Sequence, residues 1–164
     1  MPVIRQFRES DTPTVWALNA LPNVGATADP TVPVPIPPSS VPPSDFPDLI
    51  DVVGNYLLGG GEFLVAEVGG HVVGMGGLQP TGPGQAVLVR LRVHPATRRR
   101  GIGRSVVTAM EQRARQMGVK ALQLTTATNQ PEAMAFFRGV GYVQTGRERQ
   151  TGWSWTLVHF TKSL

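Results

Sequence analysis

Apolar and polar residues alternate most regularly from Ala86 to Val93, where Val87, Val89, Leu91 and Val93 are expected to share one face of a strand. His94-Pro95 ends that strand. Beyond a basic turn, Val106, Val107, Met110, Ala114 and Met117 recur at helical spacing from Gly103 onward. Glu111, Gln112, Arg113 and Arg115 are expected on the outer face of that helix, and Gly118 closes it. Lys120 to Thr126 follows as a strand. This strand–helix–strand unit predicts one parallel pair with a right-handed crossover.

The rest of the chain supplies shorter elements. Pro2 to Arg8 alternates weakly and predicts a first strand. Ser10-Asp11-Thr12-Pro13 offers a cap and a first-turn proline for a short helix through Val15, Trp16 and Leu18. Asp48 to Leu58 has helical spacing and stops at Gly59-Gly60-Gly61. Glu62 to Val68 and His71 to Met75 predict a hairpin around Gly69-Gly70. In its second strand Gly74, Gly76 and Gly77 suggest a bend or a close approach. Asn129-Gln130-Pro131-Glu132 predicts the start of a short helix through Met134, Phe136 and Phe137, with Asn129 as cap. Val143 to Arg149 and Trp153 to Thr161 predict a last hairpin. The sum is an α/β fold with a mixed sheet, one parallel pair and helices on both faces.

Eight prolines fall between Pro30 and Pro47. No helix or central strand survives that density. We expect residues 22–47 to form a loop that covers a site within a single domain of residues 1–164 rather than a linker or recognition tract, since no domain precedes it.

Composition narrows the chemistry. The 164 residues include no cysteine, which removes disulfides, zinc–thiolate sites and a cysteine nucleophile. The three histidines lack metal-ligand spacing, so no metal is expected. No apolar run is long enough to span a membrane and the first residues lack a signal-peptide pattern, so a cytoplasmic protein without a membrane partner is the expectation. The net charge is +4, and Arg90, Arg92, Arg98, Arg99, Arg100 and Arg104 lie close together, which suits an anionic partner.

Arg98-Arg99-Arg100-Gly101-Ile102-Gly103-Arg104 lies between the alternating strand and the helix. Its glycines permit a tight turn and close approach of a ligand. The first helical N–H groups lack internal partners and point out of the helix start, where the dipole also favours an anion. A diphosphate fits there, with arginines balancing its charge. A Walker loop and a dinucleotide fingerprint are both excluded, because Gly-Lys-Ser/Thr is absent and position 106 is Val106.

Residues 91–104 resemble the acyl-CoA motif of the GNAT superfamily of N-acetyltransferases, Arg/Gln-x-x-Gly-x-Gly/Ala, met by Arg98, Gly101 and Gly103. Residues 129–142 resemble the later asparagine–helix–Gly-aromatic motif of that superfamily, and the order of elements also matches. The resemblance implies a GNAT-like, mostly antiparallel central sheet in which the parallel fourth and fifth strands splay. It implies acetyl-CoA as co-substrate, its pyrophosphate on the N–H groups from Arg99 to Ser105 (Arg99, Arg100, Gly101, Ile102, Gly103, Arg104, Ser105). Its pantetheine arm would pair with the backbone of Leu91, Arg92 and Val93, whose donors could polarise the thioester carbonyl. Asn129, Phe136 and Phe137 would line the far side.

The resemblance further implies direct attack by an amine of a small molecule or protein, and last-strand dimers among relatives make a homodimer an expectation. Two features depart from the pattern. The usual tyrosine position is Phe137, and the central strand from Ala86 to Val93 carries no carboxylate. By residue type alone, Tyr142 is a candidate acid, and Glu67 and His159 are candidate bases. A different class, an acyl-CoA-binding module with little or no turnover, is the alternative. A nucleic-acid partner is not expected, because no aromatic residues interleave the arginines.

Overall fold

The computed structural model describes residues 2–21 and 29–164. Residues 22–28, part of the proline-rich stretch, lie outside the described residues. Seven strands form one sheet: β1 (Val3–Gln6), β2 (Glu62–Val68), β3 (His71–Gly82), β4 (Gln85–Val93), β5 (Ala121–Ala127), β6 (Val143–Arg149) and β7 (Thr156–Ser163). Their order is β1-β2-β3-β4-β5-β7-β6, and only β4 and β5 run parallel. Helix α1 (Thr12–Ala20) packs on one face of the sheet, and α2 (Ile102–Gln116) and α3 (Pro131–Gly139) pack on the other. The expected mixed fold with a parallel pair is therefore present. No described helix is long and apolar enough to cross a membrane.

Each face has its own core. On the α2–α3 side Leu78, Leu88, Met110, Leu122 and Phe160 interdigitate. On the α1 side Val15, Leu18, Leu49, Tyr56, Phe63 and Met75 do so, with Tyr56 edge-on to Phe63 at 5.0 Å. Strand β3 runs well past Met75, where a bend was one of the two expectations. Its glycines instead allow close approach: a Cβ on Gly77 would stand 2.6 Å from Tyr56, and one on Gly74 would stand 3.0 Å from Ile102.

Several local expectations change for physical reasons. The segment after Pro47 is not one helix but a single turn at Pro47–Leu49 and a π-helical turn at Val53–Leu57. Asp11 precedes α1 without capping it, because its carboxylate takes two hydrogen bonds from Arg5 and one from the Arg8 N–H. Gln130, not Asn129, occupies the cap position of α3. Glu111 is buried rather than outward, because it meets Tyr142 and Lys162.

The main change is in β4. Met75 pairs with Arg92 and Gly77 with Val89, so Arg90 and Leu91 together oppose Gly76. This is a bulge, with Arg90 at φ 57, a left-handed conformation rare for a residue with a side chain. The extra residue reverses the alternation. Val89 packs on the α1 side, whereas Leu91 and Val93 pack on the α2 side against Ile102 and Val106. The single apolar face expected from Val87 to Val93 is thus two half-faces. Pairing with β5 is confined to Gln85–Val87 against Ala121–Gln123, and the two strands part beyond it.

The described part of the proline-rich stretch is tied to this end of β4 and to α1. The Asp29 N–H donates to Pro95 O at 2.9 Å, and the Ser39 N–H donates to Pro13 O at 3.0 Å. Trp16 Nε1 donates to Leu49 O at 2.7 Å. Fully buried His94 places Nε2 2.8 Å from Pro33 O while its Nδ1 accepts the Ala96 N–H, which makes Nε2 the donor.

Candidate active site

Where β4 and β5 part, the start of α2 meets α3 across an open cleft of about 580 Å³. Gly101 caps α2 in a left-handed conformation, φ 77, and Arg99 before it has φ 63. The first helical hydrogen bond runs from the Ser105 N–H to Gly101 O at 3.0 Å. The N–H groups of Ile102, Gly103 and Arg104 therefore lack intrahelical acceptors, and no side chain caps the helix. Apart from Gly101 and its two chain neighbours, no heavy atom of the described residues stands within 4 Å of where a Cβ on Gly101 would lie. Uncapped donors, open space beside the backbone, and Arg98, Arg99 and Arg104 in the lining form a donor set that fits a diphosphate.

Most of the expected cofactor residues come together here. Leu91, Val93, Arg98, Arg99, Gly101, Ile102, Gly103, Arg104, Phe136 and Phe137 all line the cleft. Gly103 matters for packing, since a Cβ there would come within 3.4 Å of the Phe136 ring. Arg92, Arg100, Ser105 and Asn129 do not line it. Arg92 points to the opposite face of β4, Arg100 and Asn129 are exposed, and the Ser105 hydroxyl turns back to Gly101 O. Burial lowers the proton affinity of Arg98, whose Nε donates to Val93 O at 3.3 Å.

Glu132 is a lining residue that sequence reasoning assigned only to a helix start. It pairs with Arg99 at 3.2 Å across the mouth of the cleft, a contact with no sequence signal because 33 residues separate the two.

The three candidate proton carriers stand away from the cleft and from one another. Tyr142 is buried, and its hydroxyl donates to Glu111 at 3.1 Å. Burial first, then the Glu111 carboxylate, pushes the phenol far above its ordinary range. Glu67 accepts a hydrogen bond from Arg5 at 3.0 Å, beside β1. His159 lies on β7, with Thr125 Oγ1 2.8 Å from Nδ1 and Glu148 3.4 Å from Nε2.

The face of β4 opposite the cleft holds a second polar group. Arg90 makes two hydrogen bonds to Asp48, lies 4.6 Å from the Phe46 ring centroid, and shares Asp48 with the Tyr56 hydroxyl. Burial works to raise the Asp48 carboxyl. Hydrogen bonds from Arg90 and Tyr56, with the Arg90 charge, outweigh it and hold the carboxyl below the ordinary range.

Comparison with known proteins agrees with this geometry. The model of the acetyltransferase (GNAT) family matches residues 32–142, well over half of the chain. The chain belongs to the GNAT family. It is 36% identical over 128 residues to N-acetyltransferase family 8 member 2 of Rattus norvegicus, covering 71% of this chain and 56% of that protein. It is 36% identical over 116 residues to N-acetyltransferase 8F1 of the same species, covering 68% of this chain and 52% of that protein. The chain thus spans little more than half the length of these curated relatives.

Two solved GNAT structures share the fold. One is an acetyltransferase of Staphylococcus aureus, with a TM-score of 0.79 at 18% identity over 100% of this chain and 99% of that one. The other is a phosphinothricin acetyltransferase of Sinorhizobium meliloti in complex with acetyl-CoA, with a TM-score of 0.77 at 16% identity over 99% and 88% of the two chains.

Proposed function

We propose that this chain is an N-acetyltransferase that moves an acetyl group from acetyl-CoA to a primary amine by direct attack in a ternary complex. The observation that carries this reading is the cleft where β4 and β5 part, with the uncapped, arginine-flanked start of α2 at its mouth. The N–H groups of Ile102, Gly103 and Arg104 would hold the pyrophosphate, with Arg98, Arg99 and Arg104 offsetting its charge. The backbone of Leu91 to Val93, unpaired on the β5 side, would hold the pantetheine arm. When bound, the co-substrate supplies an activated thioester.

The acceptor, a small-molecule or protein amine, would approach from the α1 side of β4, under the segment that His94 anchors. An alkylamine with a pKa of about 10.4 is neutral in only about one part in 10³ to 10⁴ at pH 7. None of Tyr142, Glu67 and His159 is positioned to carry its proton, so we assign the rate enhancement to positioning and assign the proton to water. The reading includes a cytoplasmic setting and a homodimer through the last strands, where β6 forms a sheet edge.

The distance of those three groups from the cleft also favours a second reading, an acyl-CoA-binding module with little turnover. Acetyl-CoA calorimetry beside CoA release with a panel of amines decides between them. Binding with turnover is the expected result. Binding without turnover across the panel selects the module, and no binding overturns both.

A further inference from the structure

Arg92 is a half-buried cation with no carboxylate beside it. The bulge at Arg90 turns its side chain to the α1 face of β4, in register with buried Met75 and opposite Leu91 and Val93. Its Nε is buried without a hydrogen-bond partner, and Nη1 donates only to the neighbouring Leu91 O at 3.1 Å. Among the described residues none of the ion pairs includes it.

Two other arginines whose side chains are mostly buried have carboxylates beside them. Arg90 has Asp48, and Arg5 has Asp11 and Glu67. Arg92 instead feels the like charges of Arg90 and Arg98, which add to the effect of burial in lowering its hold on its proton. A buried donor left unsatisfied costs stability, so such an arrangement is expected where a ligand completes it.

The position decides which ligand. The diphosphate cradle lies on the other face of β4, at α2, and has its own arginines. The α1 face at this end of β4 lies beneath the segment that reaches Pro95 through Asp29 and His94 through Pro33. We infer that Arg92 binds a carboxylate carried by the amine acceptor, so that the substrates are amino-carboxylic acids. One uncompensated guanidinium fork matches one carboxylate in both charge and shape. The inference rests on the acetyl-transfer reading above and narrows its acceptor.

The test uses the whole protein and paired acceptors that differ only in the acid. L-phenylalanine, L-methionine and 5-aminopentanoate are each assayed beside their carboxamides by CoA release, with acetyl-CoA binding followed by calorimetry. For at least one pair the acid is expected to have a kcat/KM at least about tenfold above that of its amide. Arg92→Gln is expected to bring that ratio close to one through the KM of the acid, and Arg92→Lys to keep part of it. If Arg92→Gln does not fold, the Arg92→Lys ratio carries the test.

Equal turnover of acids and amides, turnover of none of the acids, or an unchanged ratio in the variant overturns the inference while acetyl-CoA binding stands. So does a variant whose main defect is in the KM for acetyl-CoA, which would place the anion on the co-substrate. Loss of acetyl-CoA binding in the unaltered protein overturns the reading beneath it instead.

Discussion

Asp48 grips Arg90 through two hydrogen bonds, 3.0 Å to Nε and 2.9 Å to Nη2, across 42 residues of sequence. Arg90 is the left-handed residue of the β4 bulge, so this pair holds the place where β4 changes face. Asp48→Asn leaves a half-buried guanidinium uncompensated. It is expected to cost about 1–3 kcal/mol in urea unfolding. On the proposed function it should also lower kcat more than acetyl-CoA affinity, because Asp48 and Arg90 lie on the face of β4 opposite the cleft. A variant as stable as the parent would show that the bulge holds itself.

The same carboxyl predicts a pH dependence. Its folded-state pKa lies below the ordinary carboxylate value, about 3.9. A lowered folded pKa contributes stability that is present above the unfolded value and is lost as pH falls through the folded value. The stability gap between the parent and Asp48→Asn should therefore narrow as pH falls below about 4. A gap that stays constant from neutral to acid pH would contradict an ionised Asp48.

At the cradle, Gly101→Val forces a β-branched residue to φ 77. The left-handed conformation costs an ordinary residue about 1–2 kcal/mol, and relaxing it would turn the Ile102 to Arg104 N–H groups away from the cleft. Acetyl-CoA affinity measured by calorimetry should fall at least about tenfold. Unchanged affinity would place the diphosphate elsewhere.

Tyr142→Phe separates packing from proton transfer. Removing the hydroxyl leaves buried Glu111 with Lys162 alone, at an expected cost of about 1 kcal/mol in urea unfolding. Acetyl transfer should stay within about twofold in kcat/KM, because the hydroxyl is sealed from the cleft. A fall in kcat of several orders would restore the tyrosine as an acid.

The sequence by itself determined the turn that starts α2. Gly101, Gly103, Arg98, Arg99 and Arg104 belong to a local turn between a strand and a helix, and short-range geometry was enough to bring them into the cleft with Leu91, Val93 and the α3 phenylalanines. It also determined the order of the strands and of the three α-helices, and the parallel pair, because hydrophobic periodicity and connection length constrain them.

Only the tertiary structure decided which way β4 faces. A strand pattern read at period two cannot show an added residue, and the bulge stands opposite Gly76 across the sheet with its Arg90 bonded to Asp48 in a distant turn. Every side chain after it changes sides: Leu91 and Val93 go to the cleft, and Arg92 goes to the α1 face. The partners of Tyr142, Glu67 and His159 were equally hidden. Glu111, Arg5 and Glu148 reach them through the packing of α2 and through strand pairing, contacts that residue type alone does not specify.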